Sequence, residues 1–598
     1  MRISSVQSLK SPVTKKPNNG EVRINKEKHV SEDKPYKIPL KQTALVFQGG
    51  GALGAYEAGA FKAIYKHIID KKGKKSEENM FDVVAGTSIG AINATILVDY
   101  VIKKGTWKGS VKVLEDFWKE MKNITWADNA FFEWWWDRLR RFLGSNEVAL
   151  PETARRYWSW AQLACTPSIY GGGTSHLYFP HLKILDTTFL NPFVFPHGIS
   201  YDYSPLKQFL SNRIKFPIKT EPSDPRLLLV SVDVKDCTTA VTFDSYASAA
   251  KKCDLCTGGK EFNDNKSLVS HIKKLHIKLE DENNLNIETG HDKLWYSTYG
   301  EGENNNKHVV FYNGIGLEQV TAGCMIPQSI DHPTLFDYIS RENRTYWDGG
   351  LLSNTPLREL LQRHKDYWLS YSEGEQRDGL EEQEKVERLK RQNLVPDLDV
   401  FIVDLFPAVE QDKQIPLHGD IMQDRINDIR FHDRTVYDQK VALLVSDYVS
   451  FTNTLIDLCK RLMSAYTSKK GSLGISQIDI ARQLLEIHKD DLGNRTRSKI
   501  DSILNDFVIR KGIDNEGNRE DIILRILRED ATSYHRSRRN RKYNDLLKGT
   551  FNVQVTRIER QDDPYTISGK IGDFSDSSIT DLINRGEEET TNYLKLKG

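Results

Sequence analysis

The sequence predicts an α/β domain built on a mostly parallel central sheet, followed by a mainly helical C-terminal region. Three observations carry this. TALVFQ at residues 43–48 is a short apolar run closed by glycines, and the stretch after it repeats Leu53, Tyr56, Ala60, Ala63 and Ile64 at helical spacing. FDVVAG at 81–86 feeds SIGAINATILVDYVIKK in the same way. Two strands that each pass through a glycine turn into a helix suggest a parallel sheet with helical crossovers. After about residue 411 the pattern turns mostly helical, as in HDRTVYDQKVALLVSDYVSF.

A chain of 598 residues is too long for one hydrophobic core. One large domain with insertions and a second unit is therefore expected. With 38% hydrophobic and 28% charged residues the composition is ordinary for a globular protein. A net charge of +1 gives no global field toward nucleic acid or anionic membrane. No apolar run is long enough to span a bilayer and no signal-peptide core follows the start. Six cysteines in so long a chain make no disulfide framework. The expectation is a cytoplasmic protein, not secreted, with contact to membranes at most peripheral.

In chain order, residues 1–40 are rich in Ser, Lys, Asn and Pro and read as a disordered tail. The α/β domain is expected over 41–410, the range that the motifs below mark as catalytic. Its later strands are RLLLVSVDV (226–234), KHVVFYN (307–313) and LDVFIVDLF (398–406). Two insertions interrupt it. Residues 105–165 hold eight of the eleven tryptophans, and residues 247–300 are polar and bear Cys and His. The charged stretch 371–393 reads as a solvated helix or loop. The extension 411–598 has one strand candidate, NVQVTRIE, before a polar, acidic helix. No internal repeat is seen.

GGGALG satisfies the G-x-G-x-x-G spacing with Gly49, Gly51 and Gly54 after a strand and before a helix. A dinucleotide site also needs an acidic residue at the end of the second strand. Asp70 lies in the Lys-rich end of a helix instead, and no Gly-Lys-Ser/Thr follows for a phosphate loop. Bare backbone at a helix start still offers unsatisfied N–H groups at the positive end of the helix dipole. Such donors can hold an oxyanion in acyl transfer. A plain glycine turn is the other reading.

Gly86-Thr87-Ser88-Ile89-Gly90 is G-x-S-x-G at a strand-to-helix junction, the pattern of a nucleophile elbow. A serine needs a base. Histidines after the sheet are His364, His418, His432, His488 and His535, none in a convincing strand-end loop. The order of parts also departs from an α/β-hydrolase, whose elbow follows several strands. That histidine triad stays open as a further reading.

Taken in order, GGGALG, GTSIG and Trp347-Asp348-Gly349-Gly350 closely resemble the patatin-like phospholipases. VTAGCMIP (320–327) and DGGLLSNTP after it agree with the family's context, so the resemblance covers about residues 43–410. It implies a three-layer patatin-like fold and a Ser–Asp dyad without histidine. The nucleophile maps to Ser88, its partner to Asp348 in the loop with Gly349 and Gly350, and the oxyanion donors to Gly49, Gly50 and Gly51. Gly86 and Gly90 frame the elbow. It implies a serine acyl hydrolase that cleaves fatty-acyl esters of lipids or phospholipids through an acyl-enzyme, with no cofactor for catalysis. Leu53 stands where many members carry Arg. The segment GDFSDSSITDLINRGEEE (572–589) resembles the C-terminal extension of some microbial members.

FFEWWWDRLRRFLG, within 126–144, sets Phe131, Phe132 and Trp134–Trp136 beside Arg138, Arg140 and Arg141. It reads as a lid or a peripheral membrane contact, or else as core or dimer packing. Residues 253–276 carry Cys253, Cys256, His271 and His276 at C₂H₂ zinc-finger spacing, with Phe262 and Leu268 at the hydrophobic positions. A structural Zn²⁺ is expected there. It would serve as a staple or as a docking knob for a protein or nucleic acid. That leaves an alternative function, a zinc-finger docking protein on a patatin-like scaffold with weak or regulated esterase activity. The run Arg536, Arg538, Arg539, Arg541, Lys542 reads as a solvated face or a phosphate or anionic-lipid contact. Oligomeric state is not legible.

Overall fold

A computed structural model describes residues 39–144, 149–182, 199–220, 223–235, 240–246, 252–253, 260–261, 295–298, 307–311, 314–337, 342–375, 395–407, 419–445, 448 and 551–597. Its centre is a ten-stranded sheet. The strands used below are β1 (Lys41–Phe47), β2 (Val83–Thr87), β3 (Arg226–Asp233), β4 (Val241–Asp244), β5 (Trp295–Thr298), β6 (Lys307–Phe311), β7 (Glu342–Asp348), β8 (Asp397–Asp404) and β9 (Val553–Glu559). Across the sheet they run β9–β8–β1–β2–β3–β4–β6–β5, with β7 beside β3. The tenth strand, Thr334–Asp337, pairs with β7.

The sheet is mostly parallel. The run from β9 through β8, β1 and β2 to β3 is parallel throughout, and so is β4 with β6. Antiparallel pairs join β3 to β4 and to β7, and β5 to β6. The strand expected at 552–559 is β9, which extends the parallel edge in register from Leu398↔Val553 to Asp404↔Glu559. The chain after 411 therefore supplies a strand to the central sheet.

Helices cover both faces. Those used here are α1 (Gly54–Lys72), α2 (Ile89–Lys104), α3 (Ser110–Met121), α4 (Ala130–Leu143), α5 (Pro151–Trp160), α6 (Leu357–Glu375), α7 (Gly419–Phe431) and α8 (Asp576–Lys597). Alternate residues of a strand point to opposite faces. In β1, Leu45 and Phe47 join the core with α1, α2 and α3. Ala44 and Val46 join a second core with Leu357, Leu360 and Leu361 of α6. A two-sided sheet of this kind needs continuous apolar strands, which is why TALVF shows no polar alternation.

α8 lies directly on α1. A Cβ on Gly59 would fall 2.0 Å from the Ile583 carbonyl, and one on Gly586 would fall 2.2 Å from the Tyr56 carbonyl. Only paired glycines let the two backbones cross this closely. The Tyr56 hydroxyl also donates to Glu589 at 2.9 Å.

The aromatic insertion divides. Trp107 and Trp118 are fully buried in the main core. α4 buries only Phe132 and leaves Phe131, Trp134, Trp135 and Phe142 exposed. The core-packing reading therefore fails for most of this helix, because its aromatic residues outnumber the positions that face the protein. Among the described residues no helix is long and apolar enough to cross a membrane. Residues 1–38 of the expected tail and most of the 247–300 insertion lie outside the described residues, as do residues 376–393 of the charged stretch and the basic run 536–542.

Candidate active site

β2 ends at Thr87 and α2 begins at Ile89, so the turn between them is the single residue Ser88. Its backbone has φ 55 and ψ −127, and it is the one non-glycine residue with positive φ among the described residues. Such a conformation is strained and persists only where the surroundings enforce it. The flanking glycines explain the spacing. A Cβ on Gly86 would meet the Gly90 carbonyl at 2.2 Å, and one on Gly90 would meet the Phe47 carbonyl at 2.7 Å. Ser88 N–H donates to the Gly323 carbonyl at 3.1 Å, and the Ser88 carbonyl accepts from the Cys324 thiol at 3.0 Å.

Asp348 arrives from the opposite direction. On one edge of β3, Thr87 pairs with Val230 in the parallel sense and Asp348 pairs with Ser231 in the antiparallel sense. The ends of β2 and β7 thus meet head to head. The Ser88 hydroxyl donates to Asp348 Oδ2 at 2.5 Å, while Gly350 N–H donates to Oδ1 at 2.7 Å. Asp348 N–H donates to the Met325 carbonyl at 2.8 Å. Gly323-Cys324-Met325 therefore braces both members of the pair from one strip of backbone. Asp348 is 7% exposed, and burial pushes its pKa up to about 6 against the opposing hydrogen bonds from Ser88 and Gly350. A carboxylate near 6 is a far better base at neutral pH than one near 4.

The glycine loop faces this pair. A Cβ on Gly49 would stand 2.9 Å from Ser88 Cβ, so the loop touches Ser88. Gly49 N–H, however, is engaged. It donates to the Asn354 carbonyl at 3.2 Å, and Asn354 Nδ2 returns a bond to the Gly49 carbonyl at 3.1 Å. Among the described residues Gly50 and Gly51 N–H donate to no backbone carbonyl. Among the described residues two of the three expected donors are thus uncommitted.

Sequence reasoning missed the residues that hold this loop. Gln48 is fully buried. Its amide oxygen accepts from Leu405 N–H at 2.5 Å, and its amide nitrogen donates to the Thr355 hydroxyl at 2.9 Å and the Phe431 carbonyl at 3.2 Å. The signal was present as a lone polar residue closing an apolar strand. Under the loop, Asn93 of α2 donates to the Gly54 carbonyl and to Glu57 of α1, and accepts from the Trp118 indole. Burial raises the Glu57 pKa well above the usual carboxyl range. The helix after the glycine loop and the helix after Ser88 are tied together by these two side chains. Leu53 is buried in the main apolar core.

Among the described residues no histidine hydrogen-bonds to Ser88 or Asp348. His364 is buried on α6 with Nε2 against the Pro396 carbonyl, and burial lowers its pKa to about 4. His432 bonds the Ile429 carbonyl. His418, His488 and His535 are outside the described residues. So are Cys256, His271 and His276. Cys253 lies in a two-residue strand, Lys252–Cys253, antiparallel to Lys260–Glu261, with its side chain outside the described set. The zinc expectation therefore lies outside the described residues, among which no group of three or more His, Cys, Asp or Glu could hold a metal ion.

Residues 45–175 match the family model described as patatin-like phospholipase. The match includes the glycine loop and Ser88 and ends before Asp348. No curated protein matches the chain. Among solved structures, VipD from Legionella pneumophila is 12% identical, with 93% of this chain and 67% of that one covered, at a TM-score of 0.22. The ExoU–SpcU complex from the type III secretion system of Pseudomonas aeruginosa is 14% identical, with 59% of this chain and 60% of that one covered, at a TM-score of 0.12.

Proposed function

We propose that this protein is a serine acyl hydrolase acting on the fatty-acyl esters of lipids or phospholipids. It proceeds from the patatin-like phospholipase match over 45–175, and one observation carries it: the Ser88–Asp348 hydrogen bond at a strained elbow beside two uncommitted glycine amides. Ser88 Oγ attacks the ester carbonyl carbon as its proton passes to Asp348 Oδ2. Gly50 and Gly51 N–H stabilise the oxyanion. Collapse expels the alcohol, which takes the proton from Asp348, and leaves an acyl ester on Ser88. Water, losing its proton to Asp348, attacks that ester; collapse then breaks the bond between the acyl carbon and Ser88 Oγ, Oγ takes the proton back from Asp348, and the fatty acid leaves.

Exposed apolar residues support a lipid substrate. Leu351 and Leu352 directly follow Gly350 and are partly exposed beside the pair. α4 adds a lipid-facing surface in this reading: Phe131 is 69% exposed, Trp134 53% and Trp135 44%, and Arg138 lies over the Trp134 ring. Trp, Phe and Arg together suit the boundary between headgroups and acyl chains.

The test is product analysis on defined phospholipids with Ser88→Ala as blank, together with fluorophosphonate labelling. Labelled Ser88 and a silent blank support the reading. Equal turnover by the two proteins would sink it.

A further inference from the structure

Beyond the dyad, the C-terminal segment reaches the glycine loop. Gly51 has φ 56, and a Cβ on it would fall 2.2 Å from the Ile571 carbonyl. Ile571 belongs to the turn Gly569–Gly572, which also packs against an indole. A Cβ on Gly569 would lie 2.2 Å from Trp160 Cδ2, and one on Gly572 would lie 2.9 Å from Trp160 Cδ1. The turn thus touches both Trp160, at the end of α5, and Gly51.

Lys570, between those two glycines, is 8% exposed. Its ammonium pairs with Asp428 at 2.5 Å and Asp424 at 3.0 Å, both on α7. α7 ends at Phe431, whose carbonyl accepts from Gln48 at 3.2 Å and from Asn354 at 2.8 Å. The contacts that start at Lys570 therefore lead back to Gln48 and Asn354, and Asn354 bonds the Gly49 carbonyl. Just beyond the turn, Phe574 stacks on Trp118, and Arg155 of α5 donates to Ser575 and Ser578. This gives the segment 572–589 a role that its resemblance alone did not.

We infer that Trp160 and Lys570 are positioning residues for the oxyanion donors. They hold the Ile571 carbonyl against Gly51 and so set where the Gly50 and Gly51 amides point. A run of three glycines has no side chains of its own to fix its path, and its peptide planes turn freely unless neighbours stop them. Misplacing such a group by about 1 Å lowers a rate by about a hundredfold. The inference rests on the acyl-hydrolase reading above.

The experiment measures kcat and KM on a soluble short-chain p-nitrophenyl ester, with the rate of Ser88 labelling by a fluorophosphonate, well below each variant's melting temperature. In Trp160→Ala, kcat and the labelling rate are expected to fall by about tenfold or more, with KM within about twofold. Trp160→Phe restores most of the loss. Gly572→Ala, a smaller change that pushes the turn off the indole, lowers kcat in the same sense. Lys570→Met does so too, and Lys570→Arg recovers it. Trp107→Leu, a core change remote from the loop, lowers the melting temperature and leaves kcat intact. Unchanged kcat in both Trp160→Ala and Gly572→Ala, or an equal loss in Trp107→Leu, overturns the inference while leaving the dyad standing. Absence of label on Ser88 in the unmodified protein overturns both.

Discussion

The Ser88 hydroxyl and the Asp348 carboxylate share a 2.5 Å hydrogen bond although 260 positions separate them in the chain. The contact exists because β2 and β7 enter one edge of β3 from opposite ends and stop on adjacent residues, Val230 and Ser231. Neither side chain needs to reach.

From that bond, Ser88→Ala and Asp348→Asn are each expected to lower kcat by about 10⁴-fold or more, since members of a catalytic unit fail together. The double variant loses little beyond either single one. His364→Gln keeps full turnover, because that ring is committed to the Pro396 carbonyl. Steady-state kinetics of the four proteins checks this.

Asp348 accepts a proton only when ionised, and burial holds its pKa up near 6. Activity, read as kcat/KM, should rise as pH increases through about 6 and then level off. Stability runs the other way. The folded carboxyl binds its proton more tightly than the unfolded one, so its contribution is present at low pH and is lost as pH rises through about 6. Asp348→Asn should therefore melt higher than the unmodified protein at pH 8 and lose that advantage near pH 4.

Gly86→Ala and Gly90→Ala put a methyl group into the carbonyls of Gly90 and Phe47. Each should destabilise by about 1–3 kcal/mol or block folding. Thermal melts decide, and a silent Gly86→Ala would contradict the geometry of the elbow.

Gly59→Ala and Gly586→Ala test the crossing of α1 and α8. Each Cβ falls about 2 Å from a backbone carbonyl of the other helix, so each should lower the melting temperature. Limited proteolysis should then cut near α8 first.

Replacing Phe131, Trp134 and Trp135 together by Ser should reduce sedimentation with phospholipid vesicles by at least about tenfold, given the apolar area removed. Hydrolysis of a soluble ester stays unchanged, because none of the three touches the dyad. Equal vesicle binding by both proteins would remove α4 as the lipid contact.

Much of this was legible beforehand. The apolar run TALVF, the strand-turn-helix pairs and the strand at 552–559 all correspond to elements of the sheet, because two-sided burial leaves an unbroken apolar signature. The strands Val241–Asp244 and Glu342–Asp348 are not legible in the sequence: the alternation of the first spans only four residues, and the polar residues of the second break any period-2 signal. Ser88 was legible because the steric demand of its turn is local: the glycines at 86 and 90 answer clashes within five residues.

The sequence by itself determined the nucleophile turn, the glycine loop, the aspartate loop and the parallel sheet, each a matter of neighbours in the chain. Only the tertiary structure decided which glycine amides are free, since Asn354 captures that of Gly49 from 305 positions away. It decided that α4 turns its tryptophans outward, which composition cannot reveal. It also decided that the C-terminal segment packs on Gly51, with Trp160 against Gly569 and Gly572 and the Ile571 carbonyl against Gly51, contacts that no local pattern encodes. The physical reason is the same in each case: backbone hydrogen bonds and close packing are satisfied between elements, and their partners are chosen by the fold.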